Sequence, residues 1–304
     1  MNKKAGKPLV TKKPRNPTES SRKYALKKPK ASLDEITLMI LSHINASKGA
    51  IIPQISALLA EILPKEMNVR ITHKFIDSMN NFLTAIVNST KKGEPLCVVN
   101  DIDHNLSNPI RPDCHTLTAI CNDKKETLNS INKSGCSAQT WMERADNEIA
   151  KPLFESGKYI LKCPKLKTGA RPYLFNPYTK HYGLSAGWKE AFITNLILRD
   201  LGDDLFANNF GQDFEIYSGS KNRIANERIQ TTQGGIIFTG DSPKDLDIKL
   251  GNKASLAFAT CVIKNGDIIC KAEENADIIF MDLNDLDAMT RVQRILFEIR
   301  NISK

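Results

Sequence analysis

The chain has 304 residues, with 43 Lys and Arg against 34 Asp and Glu, and 41% of its residues are hydrophobic. This hydrophobic fraction predicts a buried core, and about 270 residues beyond the basic N-terminal segment are enough for two domains or one large one. No stretch approaches the roughly 18 to 20 apolar residues of a membrane span, and no secretory signal follows the early lysines, so we expect neither a membrane-spanning nor a secreted protein.

The first 30 residues hold the basic excess of the chain. They contain 11 Lys and Arg and one acid, whereas residues 31–304 carry 32 Lys and Arg against 33 Asp and Glu. Their prolines and lack of large apolar side chains predict a segment that is disordered when free. Clusters of Lys and Arg like those in this segment are typical of nuclear-import signals and of arms that lie along nucleic-acid phosphates. A solubilising or membrane-surface tail is the alternative. The predicted nucleic-acid-binding residues of this arm are Lys12, Lys13, Arg15, Arg22, Lys23, Lys27, Lys28 and Lys30.

Residues 31–100 are predicted to form a helical domain. Ser32 is a good N-cap, and Glu35 stands at the spacing of a capping box. Pro53 suits the first position of a second helix. The predicted elements are helices over 33–46, 53–62 and 71–87, followed by a strand over 95–99.

This order of elements resembles the globular domain of linker histones and similar winged-helix modules. The resemblance depends on the helix and turn from Met39 to Ala50 and on the long third helix that ends before Lys91-Lys92-Gly93. It implies a recognition helix over 69–88, with Arg70, His73 and Lys74 nearest the phosphates. A plain helical bundle that serves packing or self-assembly is the alternative.

Residues 101–137 read as a linker or an irregular insertion because they are rich in Asn, Asp, Ser and Pro. The chain has seven cysteines and no C-x-x-C pair, which predicts a reducing, intracellular compartment. The spacings of the Cys and His residues in and beside this stretch match no common zinc site, so we expect ordinary buried thiols and no metal. These residues are Cys97, His104, Cys114, His115, Cys121 and Cys136.

Residues 138–304 are predicted to form an α+β domain with an antiparallel sheet and a closing helix over 283–302. Asn265-Gly266 predicts a tight hairpin turn. A loop near residues 162–182 alternates cations with aromatic rings, which is typical of single-stranded nucleic-acid binding, although such rings also pin loops to a core. Its predicted binding residues are Lys165, Lys167, Arg171, Tyr173 and Tyr178.

One motif suggests an enzyme. Gly234-Gly235, followed after nine residues by Asp245-Leu246-Asp247, resembles the glycine pair and Asp-x-Asp signature of nucleotidyltransferases. The resemblance implies that two Mg²⁺ ions are held by Asp245, Asp247 and a third acid, for which Asp277 and Asp282 are the candidates. Simple turn and edge residues are the alternative for the Asp pair.

The sequence therefore predicts a nucleic-acid-binding protein with a flexible basic arm, in the manner of a viral structural or nucleic-acid-associated protein. Its expected partners are RNA or DNA, with import machinery and a second copy of the chain as further possibilities, and its expected location is nuclear or nucleocytoplasmic. We expect no cofactor and no enzymatic activity. The alternatives are a nucleotidyltransferase, the one case in which Mg²⁺ would be needed, and a nuclear scaffold.

Overall fold

The computed structural model describes residues 33–46, 52–89, 91, 93–107, 124–157, 159–161, 163, 165–264 and 267–303. The predicted basic arm lies outside these residues, and so do residues 108–123 of the predicted linker. Within the described part of the chain, no helix is both long and apolar enough to cross a membrane.

Helices surround a central sheet. The longest ones have apolar residues at intervals of three and four; α3, for example, buries Phe75, Met79, Phe82, Leu83 and Ile86. A π-helical turn at Asp146–Ala150 joins α5 to α6. The α-helices are α1 Leu33–Ala46, α2 Ile52–Glu66, α3 Phe75–Ser89, α4 Lys125–Lys133, α5 Ala138–Ala145, α6 Lys151–Ser156, α7 Ala170–Leu174, α8 Lys189–Phe192, α9 Leu196–Arg199, α10 Lys221–Arg228, α11 Pro243–Leu246 and α12 Asp287–Ile302.

The described strands form a seven-stranded sheet in the order β1-β9-β6-β5-β2-β3-β4 and a separate hairpin of β7 and β8. Within the large sheet, β1 pairs antiparallel with β9, and the other five pairings are parallel. The strands are β1 Val69–Ile71, β2 Leu96–Asn100, β3 Thr179–Trp188, β4 Leu205–Asn208, β5 Gly235–Gly240, β6 Ala254–Thr260, β7 Val262–Lys264, β8 Asp267–Ile269 and β9 Ile278–Phe280.

Both faces of the sheet are covered, so its central strands are apolar throughout. Every residue of β2 and β5 is buried. One face packs against α1, α2, α3 and α12 through a large apolar cluster, and the other face packs against α10 and the segments around α11. A third apolar cluster joins α4, α5 and the π-helical turn to Trp188 and Phe210, beyond the ends of β3 and β4.

The predicted α+β class is confirmed, together with the closing helix and an antiparallel hairpin in which Lys264 pairs with Asp267. The main sheet is mixed and largely parallel. Strands β1 and β2 of the predicted 31–100 domain belong to the same sheet as five strands of the predicted 138–304 domain. The division of the chain at these boundaries and the winged-helix resemblance stay predictions.

Candidate active site

The first acid of the candidate site follows β2 directly. Asp101 is buried, and its backbone N–H donates a 2.9 Å hydrogen bond to the Thr239 carbonyl of β5. The side-chain amide of Asn105 donates to the Asp101 carbonyl at 2.9 Å and to the Thr239 hydroxyl at 2.7 Å. The loop of residues 101–107 is therefore fixed against the end of the neighbouring strand.

The second acidic loop follows β5, which lies next to β2. Asp241 is the first residue after the strand and is buried. The N–H and the hydroxyl of Ser242 then donate to Oδ2 of Asp245 at 3.1 and 2.6 Å, in the manner of a capping box at the start of α11. A Cβ at Gly240 would lie 2.4 Å from the Cβ of Asp245. Glycine at 240 thus allows α11 to carry Asp245 close to the strand end.

A buried lysine joins the two loops. Lys221, the first residue of α10, donates from Nζ to Oδ1 of Asp101 at 2.7 Å and to Oδ1 of Asp245 at 2.5 Å. Burial by itself lowers the pKa of Lys221, but its two carboxylate partners outweigh burial and raise that pKa above its ordinary value. Burial and the Asp245 charge raise the pKa of Asp101, and the Lys221 ammonium opposes them. Lys221 therefore stays charged and favours the ionised form of Asp101.

Three carboxylates meet at this point, because oxygens of Asp101, Asp241 and Asp245 lie within 4.8 Å of one another. Carboxylate oxygens are the ligands that Mg²⁺ prefers. Asp245 accepts hydrogen bonds on both of its oxygens, from Lys221 and Ser242, and the Lys271 ammonium lies 3.6 Å from Asp241. The donor set therefore fits a divalent cation held chiefly by Asp101 and Asp241, with Asp245 positioning Lys221.

A buried hydroxyl and a hydrogen-bond network of uncharged side chains lie near the same carboxyl ends of the strands. Ser185, near the carboxyl end of β3, accepts a hydrogen bond from the Gly187 N–H and keeps its own proton to donate. Below the loops, Asn100 accepts from Tyr173 at 2.8 Å and contacts His181 at 3.1 Å. Burial lowers the pKa of His181 to about 3, so this imidazole is neutral.

Of the three predicted catalytic acids, the structure places only Asp245 in the cluster. Asp247 is exposed at the end of α11 and accepts a 2.6 Å hydrogen bond from Asn275. Asp282 is half-buried beyond β9 and accepts from the Asn284 N–H. Asp245 and Asp247 diverge because Pro243 begins a helix where the Asp-x-Asp pattern implied a strand.

The glycine pair lies at the opposite end of β5 from Asp245. A Cβ at Gly234 would lie 2.0 Å from Oγ of Ser89, and one at Gly235 would lie 2.6 Å from a methyl carbon of Ile86. These glycines therefore allow β5 to approach α3 closely. They belong to the packing of the core and are separated from the acids by the length of the strand.

The cations and rings of the predicted nucleic-acid surface contact other parts of the protein. Arg70 pairs with Glu273, Lys74 donates to the Glu274 carbonyl, and Arg171 pairs with Asp200. Tyr173 is fully buried, and Tyr178 packs against Phe297. Lys165 is exposed, whereas Lys167 is only 3% exposed. The predicted binding residues of the basic arm lie outside the described residues.

The cysteine and histidine residues that the structure describes do not form a metal site. In the part of the chain that the structure describes, the group of side chains that could hold a metal ion is the aspartate cluster. Cys97 is buried in β2, and burial raises the pKa of its thiol to about 12, which disfavours the thiolate that zinc requires. Cys114, His115 and Cys121 lie outside the described residues.

Sequence reasoning missed Asp101, Asp241 and Lys221. A signal for the two acids was present, because Val98-Val99-Asn100 and Phe238-Thr239-Gly240 each end an apolar run directly before an aspartate. Loops at the carboxyl ends of parallel strands are where open α/β sheets place their ligands. The strand over 95–99 was predicted, but Asp101 was assigned to a linker.

Comparisons with known proteins find a similarity of fold. The sequence matches no family model and no curated protein. Among solved structures, the chain is similar to the crystal structure of cytosolic 5′-nucleotidase IIIB bound to cytidine, with 13% identity, a TM-score of 0.52, and coverage of 82% of this chain and 96% of that one. At this identity the likeness shows a shared fold alone.

This likeness corrects the functional prediction. The interpretation as a nucleic-acid-binding structural protein without enzymatic activity is wrong, because the chain has the fold of a nucleotidase, which is an enzyme. The nucleotidyltransferase alternative is overturned by the same finding, and the nuclear and virion assignments lose their basis with it. The expectation of no cofactor also loses support, since the aspartate cluster is suited to a metal ion.

Proposed function

We propose that this protein is a Mg²⁺-dependent phosphohydrolase that acts on a phosphate monoester. The observation that carries the proposal is the convergence of Asp101, Asp241 and Asp245 within 4.8 Å, with Lys221 bridging two of them. The cluster lies at the carboxyl ends of the parallel strands β2 and β5. The similar fold of a 5′-nucleotidase supports it. Because that neighbour is a 5′-nucleotidase bound to cytidine, nucleoside 5′-monophosphates are the first substrates to examine.

The cation would be held by Asp101 and Asp241, and when bound it would neutralise charge on the phosphoryl oxygens and orient the group for in-line attack. Lys221 adds a second positive charge, held in place by two carboxylates. Ser185 offers a hydroxyl donor at the same edge. Donors and charges fixed before the substrate arrives are the main source of transition-state stabilisation in such sites.

Asp101 is the proposed nucleophile, because a positioned carboxylate can form an aspartyl-phosphate intermediate. Its oxygen attacks phosphorus, the phosphorus bond to the alkoxy oxygen breaks, and an acyl phosphate forms. Asp103, two residues further along the same fixed loop and only half-buried, supplies a proton to the leaving oxygen. It then takes a proton from a water molecule that attacks the acyl phosphate, which releases inorganic phosphate and regenerates Asp101.

The test is phosphate release by the purified full chain from p-nitrophenyl phosphate and a panel of nucleoside monophosphates, with Mg²⁺ and with EDTA. We expect activity that EDTA abolishes, and a loss of at least about 10³-fold in Asp101→Asn, since the nucleophile carries a large share of the acceleration. Acid-quenched wild-type enzyme should retain phosphate on Asp101.

The matched control is Asp247→Asn, which makes the same chemical change at an exposed acid beside the cluster. Its activity should stay within about twofold of wild type, because solvent-exposed side chains away from the reacting atoms contribute little. The proposal fails if no phosphate monoester is hydrolysed, or if Asp101→Asn loses no more activity than Asp247→Asn while both remain folded.

A further inference from the structure

A second buried lysine lies on a segment that the mechanism above does not use. The backbone N–H of Lys167 donates to the Leu106 carbonyl at 2.9 Å, and that of Thr168 donates to the Asn284 carbonyl at 2.8 Å. The segment is therefore held between the loop after β2 and the loop after β9. At its end Gly169 has a φ of +77°, a conformation that favours glycine.

The ammonium of Lys167 is buried and has no hydrogen-bond partner among the described residues, although the side chain is only 3% exposed. Burial lowers its pKa to about 8, while Asp241, the Cys261 thiol and Asp282 act in the opposite direction. An ammonium removed from water without an acceptor is strongly unfavourable for folding. Such a group is expected where an anionic ligand supplies the missing acceptor.

The surrounding charges indicate where that ligand lies. Asp241 belongs to the aspartate cluster and acts on Lys167, whereas the other buried lysine, Lys221, already donates to two carboxylates. A substrate phosphate brings further negative charge toward three aspartates. Lys167 is thus a buried cation that has no hydrogen-bond acceptor among the described residues and that lies in the field of Asp241.

We infer that the Lys167 ammonium binds a non-bridging phosphoryl oxygen of the substrate. This inference rests on the proposed function, because it takes the aspartate cluster as the place where a phosphate monoester binds. Lys167 is in this view a substrate-binding residue whose positive charge is paired only when the phosphate is present.

The test measures inorganic phosphate binding by calorimetry in the presence of Mg²⁺, separately from turnover, with Lys167→Met as the main variant. A charge-assisted hydrogen bond corresponds to about a 10- to 100-fold change in affinity, so phosphate Kd and substrate KM should rise by that factor. Lys167→Arg keeps the charge and should recover part of the affinity. The matched control is Lys165→Met, an exposed lysine two residues earlier, which should leave both constants unchanged.

The thermal stability of Lys167→Met distinguishes phosphate binding by Lys167 from a purely structural role. If Lys167 is retained for a ligand, Lys167→Met removes an unpaired buried charge and should raise Tm while it weakens phosphate binding. If that variant does not fold, Lys167→Gln replaces it in both measurements, because glutamine removes the charge and keeps a polar side chain.

The outcomes distinguish the two proposals. Phosphate release with unchanged KM and Kd in Lys167→Met would overturn the role of Lys167 and leave the proposed function standing. Phosphate binding that depends on Lys167, without hydrolysis of any monoester, would support the inference and overturn the proposed function. Absence of phosphate binding by the folded wild-type protein would overturn the inference.

Discussion

The two ends of β5 use polar groups in different ways. At the amino end, the side-chain amide of Gln233 donates to the Pro95 carbonyl at 2.7 Å, and the backbone carbonyl of Gln233 accepts from Lys253 at 2.7 Å. A cavity of about 430 Å³ opens beside them, and its Lys180 forms a partly exposed ion pair with Asp204. At the carboxyl end, Asp241 and Asp245 are buried.

The two ends of β5 differ in what their polar groups do: one set maintains the fold, and the other forms the candidate site. At the amino end, Gln233 and Lys253 donate to backbone carbonyls and Lys180 forms a partly exposed ion pair, as expected where polar groups maintain the fold. Buried ion pairs contribute little net stability, because desolvation offsets their attraction. The charges gathered at the carboxyl end are therefore better accounted for by the proposed function than by a contribution to stability. Four predictions test this contrast, beginning with the largest expected effect.

Lys221→Met should have the largest effect on stability. It leaves Asp101 and Asp245 buried without their shared cation, and breaking such a pair costs about 3–5 kcal/mol. Urea unfolding gives the measurement. Arg223→Met, on the same helix but exposed and paired with Glu227, should cost less than about 1 kcal/mol. Equal losses in the two variants would contradict the contrast.

His181 should make stability depend on acid pH. Its folded pKa of about 3 lies below the ordinary value of 6.5, so the stability it contributes is present above pH 6.5 and is lost as pH falls toward 3. At pH 4.5 the expected loss is about 2.7 kcal/mol. The unfolding free energy of wild type should therefore fall more steeply between pH 6.5 and 4.5 than that of His181→Gln. Parallel curves would show that His181 does not titrate in this way.

Alanine at the two ends of β5 compares packing with chemistry directly. Gly240→Ala pushes against Asp245, and Gly235→Ala pushes against Ile86. Each overpacked variant should lose about 1–3 kcal/mol on unfolding. Only Gly240→Ala should also lower kcat, because it displaces a residue that positions Lys221. An equal loss of kcat in folded Gly235→Ala would remove the distinction.

Lys180→Ala should have the smallest effect. Its ion pair with Asp204 is partly exposed, and such pairs contribute about 0–1 kcal/mol. We expect unchanged phosphate release from any monoester that wild type hydrolyses. Loss of activity in this variant would place the functional site at the amino end of the sheet.

Local sequence patterns predicted much of the secondary structure. The α+β class, the closing helix and the hairpin at Lys264 and Asp267 are confirmed, since helical periodicity and turn residues act over short distances. The prediction was less accurate where packing overrides propensity. The helix predicted over 71–87 begins instead at Phe75, because Val69–Ile71 pairs with β9 as strand β1.

The candidate site required the tertiary structure. Asp245 was found in the sequence with the wrong partner, because the Asp-x-Asp pattern suggested a strand where Ser242 and Pro243 begin a helix. Its actual partners come from other elements, and Lys221 lies 120 residues from Asp101. Strand order decides these contacts: β2 and β5 are distant in sequence but adjacent in the sheet. Sequence by itself determined the elements, and nonlocal pairing of parallel strands decided which of their ends meet.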